Sequence, residues 1–212
     1  MERYRITAPQ PSFGCQACLP LADRQTMEVH IHVLVGRLCA DLNVLIDGFP
    51  MMHGMEAEEI CRRAFQLPRL IREDVRFSAG GIACHTYYFR YLTADEGEHL
   101  PEGRAAEALK RSFGSPDSFF YIFREEAKRM QTGGFLWLCT ESRSHVSRLR
   151  LITTRGYYLP PAPYLPLLAL DLWEHAYIGR FGEDRRAYAD AFLRRLDWDA
   201  VGSTIAAREC VG

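Results

Sequence analysis

The 212-residue sequence lacks any excess of charge. Its 26 basic and 27 acidic side chains leave −1 at pH 7, with a pI near 6.7. It also lacks a basic block, which argues against binding nucleic acid by neutralising phosphates. No apolar run approaches the roughly 18 residues of a membrane helix, so no membrane partner is expected. The opening Met1-Glu2-Arg3-Tyr4-Arg5 lacks the charged-then-apolar pattern of a secretory leader, and a cytoplasmic protein is expected. There is no even set of cysteines. Seven are scattered along a chain long enough to bury a core without staples, which reads as reduced thiols. No internal repeat or low-complexity tract appears. What is present is ordinary for a globular protein, with 48% hydrophobic and 25% charged residues, enough for one large domain or two small ones.

The N-terminal half reads as helix. From Met27, apolar residues recur at helical spacing through Leu34, Leu38, Leu42 and Leu45, and Asp47-Gly48-Phe49-Pro50 ends that pattern. A short helix is expected over Glu58 to Phe65. Another follows Pro68 through Ile82, Tyr88 and Leu92, weakened in its middle by Gly80-Gly81. The polar stretch from Thr93 to Gly103 reads as a linker. A helix from Ala105 to Phe113 ends at Gly114, and Ser115-Pro116-Asp117 starts the next, which should reach about Gln131. Its aromatic run Phe119 to Phe123 is expected to face the core in part. The pattern then changes. The stretches Phe135 to Cys139, Val146 to Thr153 and Leu165 to Leu170 read as three strands, followed by one helix from Glu174 to Leu196. The expected fold is α+β: an N-terminal α-helical hairpin subdomain over residues 1–96, then residues 97–212 as helices around a small three-stranded antiparallel sheet.

The sharpest local signal is Asp171-Leu172-Trp173-Glu174-His175. An Asp and a His four apart lie on one face if they share a helical turn, and mixed O/N donors suit iron, manganese or zinc. Such a pair alone also serves as a cap or a surface pair. His30 and His85 lie among apolar residues, where an imidazole must hydrogen-bond or ligate. Taken singly, each fits a satisfied core histidine; together with Asp171 and His175 they offer three imidazoles and one carboxylate. Cys15 and Cys18 form a C-x-x-C pair. With no second such pair and no flanking strand and helix, ordinary thiols are the simpler reading over a metal or redox site.

The stretch from Pro166 through Asp171-Leu172-Trp173-Glu174-His175-Ala176-Tyr177 closely resembles the C-terminal signature of iron/manganese superoxide dismutases. The resemblance continues through Arg185-Arg186, Tyr188, Phe192 and Asp197-Trp198. Ala83-Cys84-His85-Thr86-Tyr87-Tyr88-Phe89 resembles the family's second-histidine motif, and Gly133-Gly134-Phe135-Leu136-Trp137 matches in order and spacing. Met27-Glu28-Val29-His30 is similar to the first-histidine helix. The likeness covers roughly residues 20 to 205.

That resemblance implies a fold, a cofactor and a reaction. His30, His85, Asp171 and His175 would hold one Fe or Mn ion per subunit, cycling between +2 and +3 while superoxide becomes dioxygen and hydrogen peroxide. Phe135, Trp137 and Trp173 would wall the site and keep it dry. Arg185 matches a family arginine that attracts the anionic substrate. Glu174 would reach across a homodimer interface to the partner's His175, while Tyr177 matches a family tyrosine that bonds across the same interface to a second histidine, a partner this chain lacks.

The departures are equally specific. The family places a second His four residues after the first ligand, where this chain has Leu34. It places a gateway Tyr eight residues after, where this chain has Leu38. Its solvent-binding Gln falls at Gly81 or near Arg155 and Gly156. An apolar approach would supply protons poorly. His32, Tyr87, Tyr88 and Tyr157 are candidate substitutes. The losses open a second reading, a metal protein of this fold with weak or altered redox activity, and a third, a structural zinc protein.

Overall fold

The first apolar stripe folds as one helix, α1 (Arg24–Ile46, 23 residues). Asp23 caps it by accepting a hydrogen bond from the Thr26 backbone N–H at 2.7 Å. Its middle, Val29–Val35, is wound as a π-helix. That widening shifts the phase of the buried stripe, which runs through Met27, His30, Ile31, Val35, Leu38 and Leu42, while Leu34 and Leu45 are only half-buried. The structure describes residues 4–95, 97–141 and 148–209 of the chain in a computed structural model. Cys210 and the first residues of the second expected strand, from Val146, lie outside them.

No uninterrupted apolar run of membrane-spanning length occurs in α1, although by length and average composition alone the helix is apolar enough to cross a membrane. Its apolar residues lie on two faces. Only 39% of its most apolar window is buried, because Val29, Val33 and Val44 point outward, and the inward face packs on the rest of the chain.

Four more helices follow: α2 (Ala57–Arg63), α3 (Arg69–Phe89), α4 (Gly103–Phe113) and α5 (Pro116–Arg129). The Ser115 hydroxyl caps α5 on the Ser118 N–H at 3.0 Å, and Pro116 occupies its first position. Within the aromatic run, Phe119, Phe120 and Phe123 are buried and Tyr121 is exposed. The strands β1 (Gly134–Glu141), β2 (Leu149–Arg155) and β3 (Tyr164–Asp171) form an antiparallel sheet in the order β2-β1-β3. The central β1 is buried on both faces, so it reads as a continuous apolar run. Phe135, Trp137 and Cys139 face Cys84 and Tyr87 of α3. Leu136 and Leu138 face the main core.

The single C-terminal helix expected from Glu174 to Leu196 is corrected to two, α6 (Glu174–Phe181) and α7 (Arg185–Leu193), and α8 (Trp198–Glu209) follows. Gly182 ends α6 at φ 55°, a left-handed conformation that favours glycine. Asp184 then caps α7 on the Ala187 N–H at 3.0 Å. The two halves of the chain share one core. Tyr88 of α3 stacks on Phe192 of α7 with ring centroids 5.6 Å apart. Beyond the end of α3, the Thr93 and Asp197 N–H groups donate to the Arg195 and Tyr91 carbonyls, respectively.

Candidate metal centre

Four side chains from α1, α3, β3 and α6 meet where the two halves join. The π segment of α1 carries His30, and α3 carries His85. Asp171 is the last residue of β3, and His175 lies in the first turn of α6. One donor atom from each lies within 4.8 Å of every other. His30 Nε2 and His85 Nε2 each stand 3.3 Å from Asp171 Oδ2, and His175 Nε2 stands at 3.1 Å. His85 and Asp171 are sealed from solvent, His30 is 3% exposed, and the His175 side chain is 25% exposed.

The hydrogen bonds around this cluster set which atoms remain free. His85 Nδ1–H donates to the Gly81 carbonyl at 2.6 Å, so Nε2 presents its lone pair inward. The Trp173 backbone N–H donates to Asp171 Oδ1 at 2.8 Å, leaving Oδ2 for the three imidazoles. The Nε2 atoms of His30 and His85 are buried with no hydrogen-bond partner. A lone pair aimed at a carboxylate oxygen is unfavourable unless a cation lies between them. Burial pushes His30 down to about 4, partly opposed by Asp171 and reinforced by His85, so its imidazole is neutral near pH 7. Burial alone would raise Asp171, but the three imidazoles hold it well below the usual carboxylate range. Three imidazoles converging on one carboxylate, two of them with a buried unpartnered Nε2, fit a divalent or trivalent ion.

Aromatic rings enclose the cluster. Tyr88 and Phe89 lie 5.4 and 5.3 Å from the His30 ring, and Phe135 lies 5.6 Å from His85. Trp173 stacks on His175 at 6.5 Å. Trp137 stands one layer back, against Phe135 and Tyr87, with Nε1–H donating to Thr154 Oγ1 at 2.8 Å. A cavity of about 220 Å³ opens onto His30 and His175 between Gln25, Thr26, Val29 and Leu34. Glu174 is exposed beside His175. Tyr177 is buried, and its hydroxyl accepts from Arg185 Nε at 2.9 Å within the same chain.

The thiols of the C-x-x-C pair part company. Cys15 Sγ lies 3.1 Å from His32 Nε2, whereas Cys18 is buried, donates to the Thr93 carbonyl and is pushed up to about 11 by burial. Tyr157, one of the candidate substitutes, also packs against the centre. The Tyr157 ring lies 5.9 Å from His85, 5.5 Å from Trp173 and 6.1 Å from Phe135. Gly80 and Gly81 of α3 leave room for this close approach, since neither carries a Cβ.

The profile described as iron/manganese superoxide dismutases, C-terminal domain, matches residues 101–204. The chain is 30% identical over 192 residues to the manganese superoxide dismutase of Listeria monocytogenes, covering 90% of this chain and 93% of that one. It is 28% identical over 203 residues to that of Thermus thermophilus, covering 93% and 96%. It is 29% identical over 210 residues to that of Escherichia coli O157:H7, covering 96% and 98%. With its three imidazoles gathered on one carboxylate, the chain belongs to the iron/manganese superoxide dismutase family.

Proposed function

We propose that the protein is a metal-dependent superoxide dismutase in which His30, His85, Asp171 and His175 hold one Fe or Mn ion per subunit. The observation that carries this reading is the convergence of three imidazole Nε2 atoms on Asp171 Oδ2 in a buried site. When bound, the ion supplies one-electron chemistry between its +2 and +3 states, by which two superoxide ions become dioxygen and hydrogen peroxide. The chain's own residues do the rest. Gly81 fixes the His85 tautomer, and the Trp173 backbone orients the carboxylate. Phe135, Tyr88, Phe89 and Trp173 exclude water and lower the local dielectric, and Trp137 braces Phe135 from behind. The opening beside Leu34 and His175 admits a small anion. Arg185 is held by Tyr177, two residues beyond His175 in the chain, and supplies a positive charge that attracts an anion.

Glu174 and the exposed Ile178 beside it support a homodimer built through this face, and a cytoplasmic setting suits a protein of free thiols. A second reading is a member with weak or altered redox activity. Leu34 at the opening and the buried Leu38 favour it, because neither side chain carries a proton. Superoxide decay per bound ion, measured on separately iron-loaded and manganese-loaded protein, tests both. Fast decay with either metal is expected. Negligible decay at full occupancy with both would refute the dismutase, and stoichiometric zinc without a redox titration would identify a structural site instead.

A further inference from the structure

Four side chains stand as candidates to complete the ion's surroundings where the family pattern is broken: His32, Tyr87, Tyr88 and Tyr157. The structure separates them. His32 is exposed and engaged with Cys15. The Tyr87 hydroxyl donates to Glu58 Oε2 at 2.6 Å. The Tyr88 hydroxyl accepts from the Tyr188 hydroxyl at 3.3 Å. Tyr157 alone has its ring against a candidate ligand while its hydroxyl has no hydrogen-bond partner among the described residues.

The backbone shows that this position is built. A Cβ at Gly80 would lie 2.3 Å from the Tyr157 carbonyl oxygen. A Cβ at Gly81 would lie 2.6 Å from Leu38 Cδ1 and 3.1 Å from Tyr157 Cδ2. The two glycines that weaken the middle of α3 therefore make the space that Tyr157 fills. The same geometry leaves no room for a glutamine at position 81. Trp173 covers the ring on one side and Phe77 on another, at 5.5 and 4.9 Å. These contacts hold the phenol beside His85 without using its hydroxyl.

We propose that Tyr157 is a positioning residue of the metal centre, whose phenol donates a hydrogen bond to the oxygen ligand or small anion at the ion's open position. This rests on the metal-centre reading above. A donor there strengthens ligands that carry more negative charge, and so sets the balance between the two oxidation states. It is the chain's own substitute for the missing carboxamide, delivered from the β2–β3 connection.

Tyr157→Phe removes the hydroxyl and keeps the ring. Three quantities are read on it: metal content, azide affinity by visible titration, and the midpoint potential of the loaded protein. Metal content and the melting temperature of the metal-free protein should match wild type. Azide affinity should fall at least fivefold. The potential should move by tens of millivolts, since tenfold in a one-electron equilibrium is about 59 mV. Tyr157→Ala should in addition lower the metal-free melting temperature, because it empties the space beside Gly81. Azide affinity and potential per bound ion unchanged in Tyr157→Phe would overturn the proposal. So would a loss of stability and metal that leaves the remaining centres with wild-type values. A wild-type protein that takes up neither iron nor manganese would overturn the metal-centre reading, and this inference with it.

Discussion

Alanine substitution at three helical glycines should give opposite signs, and the structure sets the order. Gly179 in α6 has nothing within 4 Å of where a Cβ would be, so Gly179→Ala should stabilise by about 0.5–1 kcal/mol through helix propensity. Gly80→Ala gains the same propensity but drives its methyl to 2.3 Å from the Tyr157 carbonyl oxygen. A backbone atom pinned between α3 and the sheet cannot turn away, and such overpacking costs about 1–3 kcal/mol or more. The net loss should be roughly 1–2 kcal/mol. For a chain of this size that is a fall of about 2–8 °C in melting temperature. Gly81→Ala meets a leucine methyl that can rotate, so its effect should fall between the other two. Differential scanning calorimetry of the metal-free variants measures all three. Gly80→Ala melting at or above wild type would refute the idea that α3 and Tyr157 are in enforced contact, and would undercut the built position argued for Tyr157.

Other outcomes follow from the cluster itself. Asp171→Asn removes the charge on which three imidazoles converge and should weaken metal binding at least about 100-fold, beyond the range typical of outer-shell changes, as read by equilibrium dialysis with elemental analysis. Saturation with iron or manganese at about 1,000 times the dissociation constant should stabilise the fold by about 4 kcal/mol, visible as a rise of about 8–16 °C in melting temperature; no rise would mean the site does not close on the ion. In metal-free protein the unfolded state protonates His30 near its ordinary value, whereas the folded state does so only near 4. Stability should therefore fall as pH drops from about 6.5 towards 4, and urea midpoints should show a shallower slope in His30→Asn.

The parts of the fold that could be read along the chain were those decided locally. Ser115-Pro116 and Gly114 marked a helix boundary because caps act through the nearest backbone groups. The apolar runs at Phe135 and Leu165 marked strands because β1 and most of β3 are buried, and alternation marked the half-exposed β2. The four candidate ligands were legible through the resemblance around Asp171 and His175, although sequence says nothing of the 3.1–3.3 Å convergence on a single oxygen. What escaped depends on tertiary contact. The π segment of α1 shifts which leucines are buried, and no propensity encodes that. The break at Gly182 hides inside a helical pattern, since a glycine is both a tolerated interior residue and a cap. Tyr157 stood among four candidate substitutes, and that its ring reaches His85 depends on a strand connection distant in sequence.

The four candidate ligands come from three segments far apart along the chain, and this bears on how fast a bound ion is exchanged. An ion held by α1, α3, β3 and α6 is a cross-link that closes two long loops. Three of its anchors are buried, so no single loop opening frees it. Release to a chelator should then keep pace with opening of the core shared by both halves, and its half-life should track the unfolding rate rather than the chelator's concentration. Metal choice would be made while the chain folds, by whichever ion is at hand when α3 closes over β3, and retained for as long as the fold lasts.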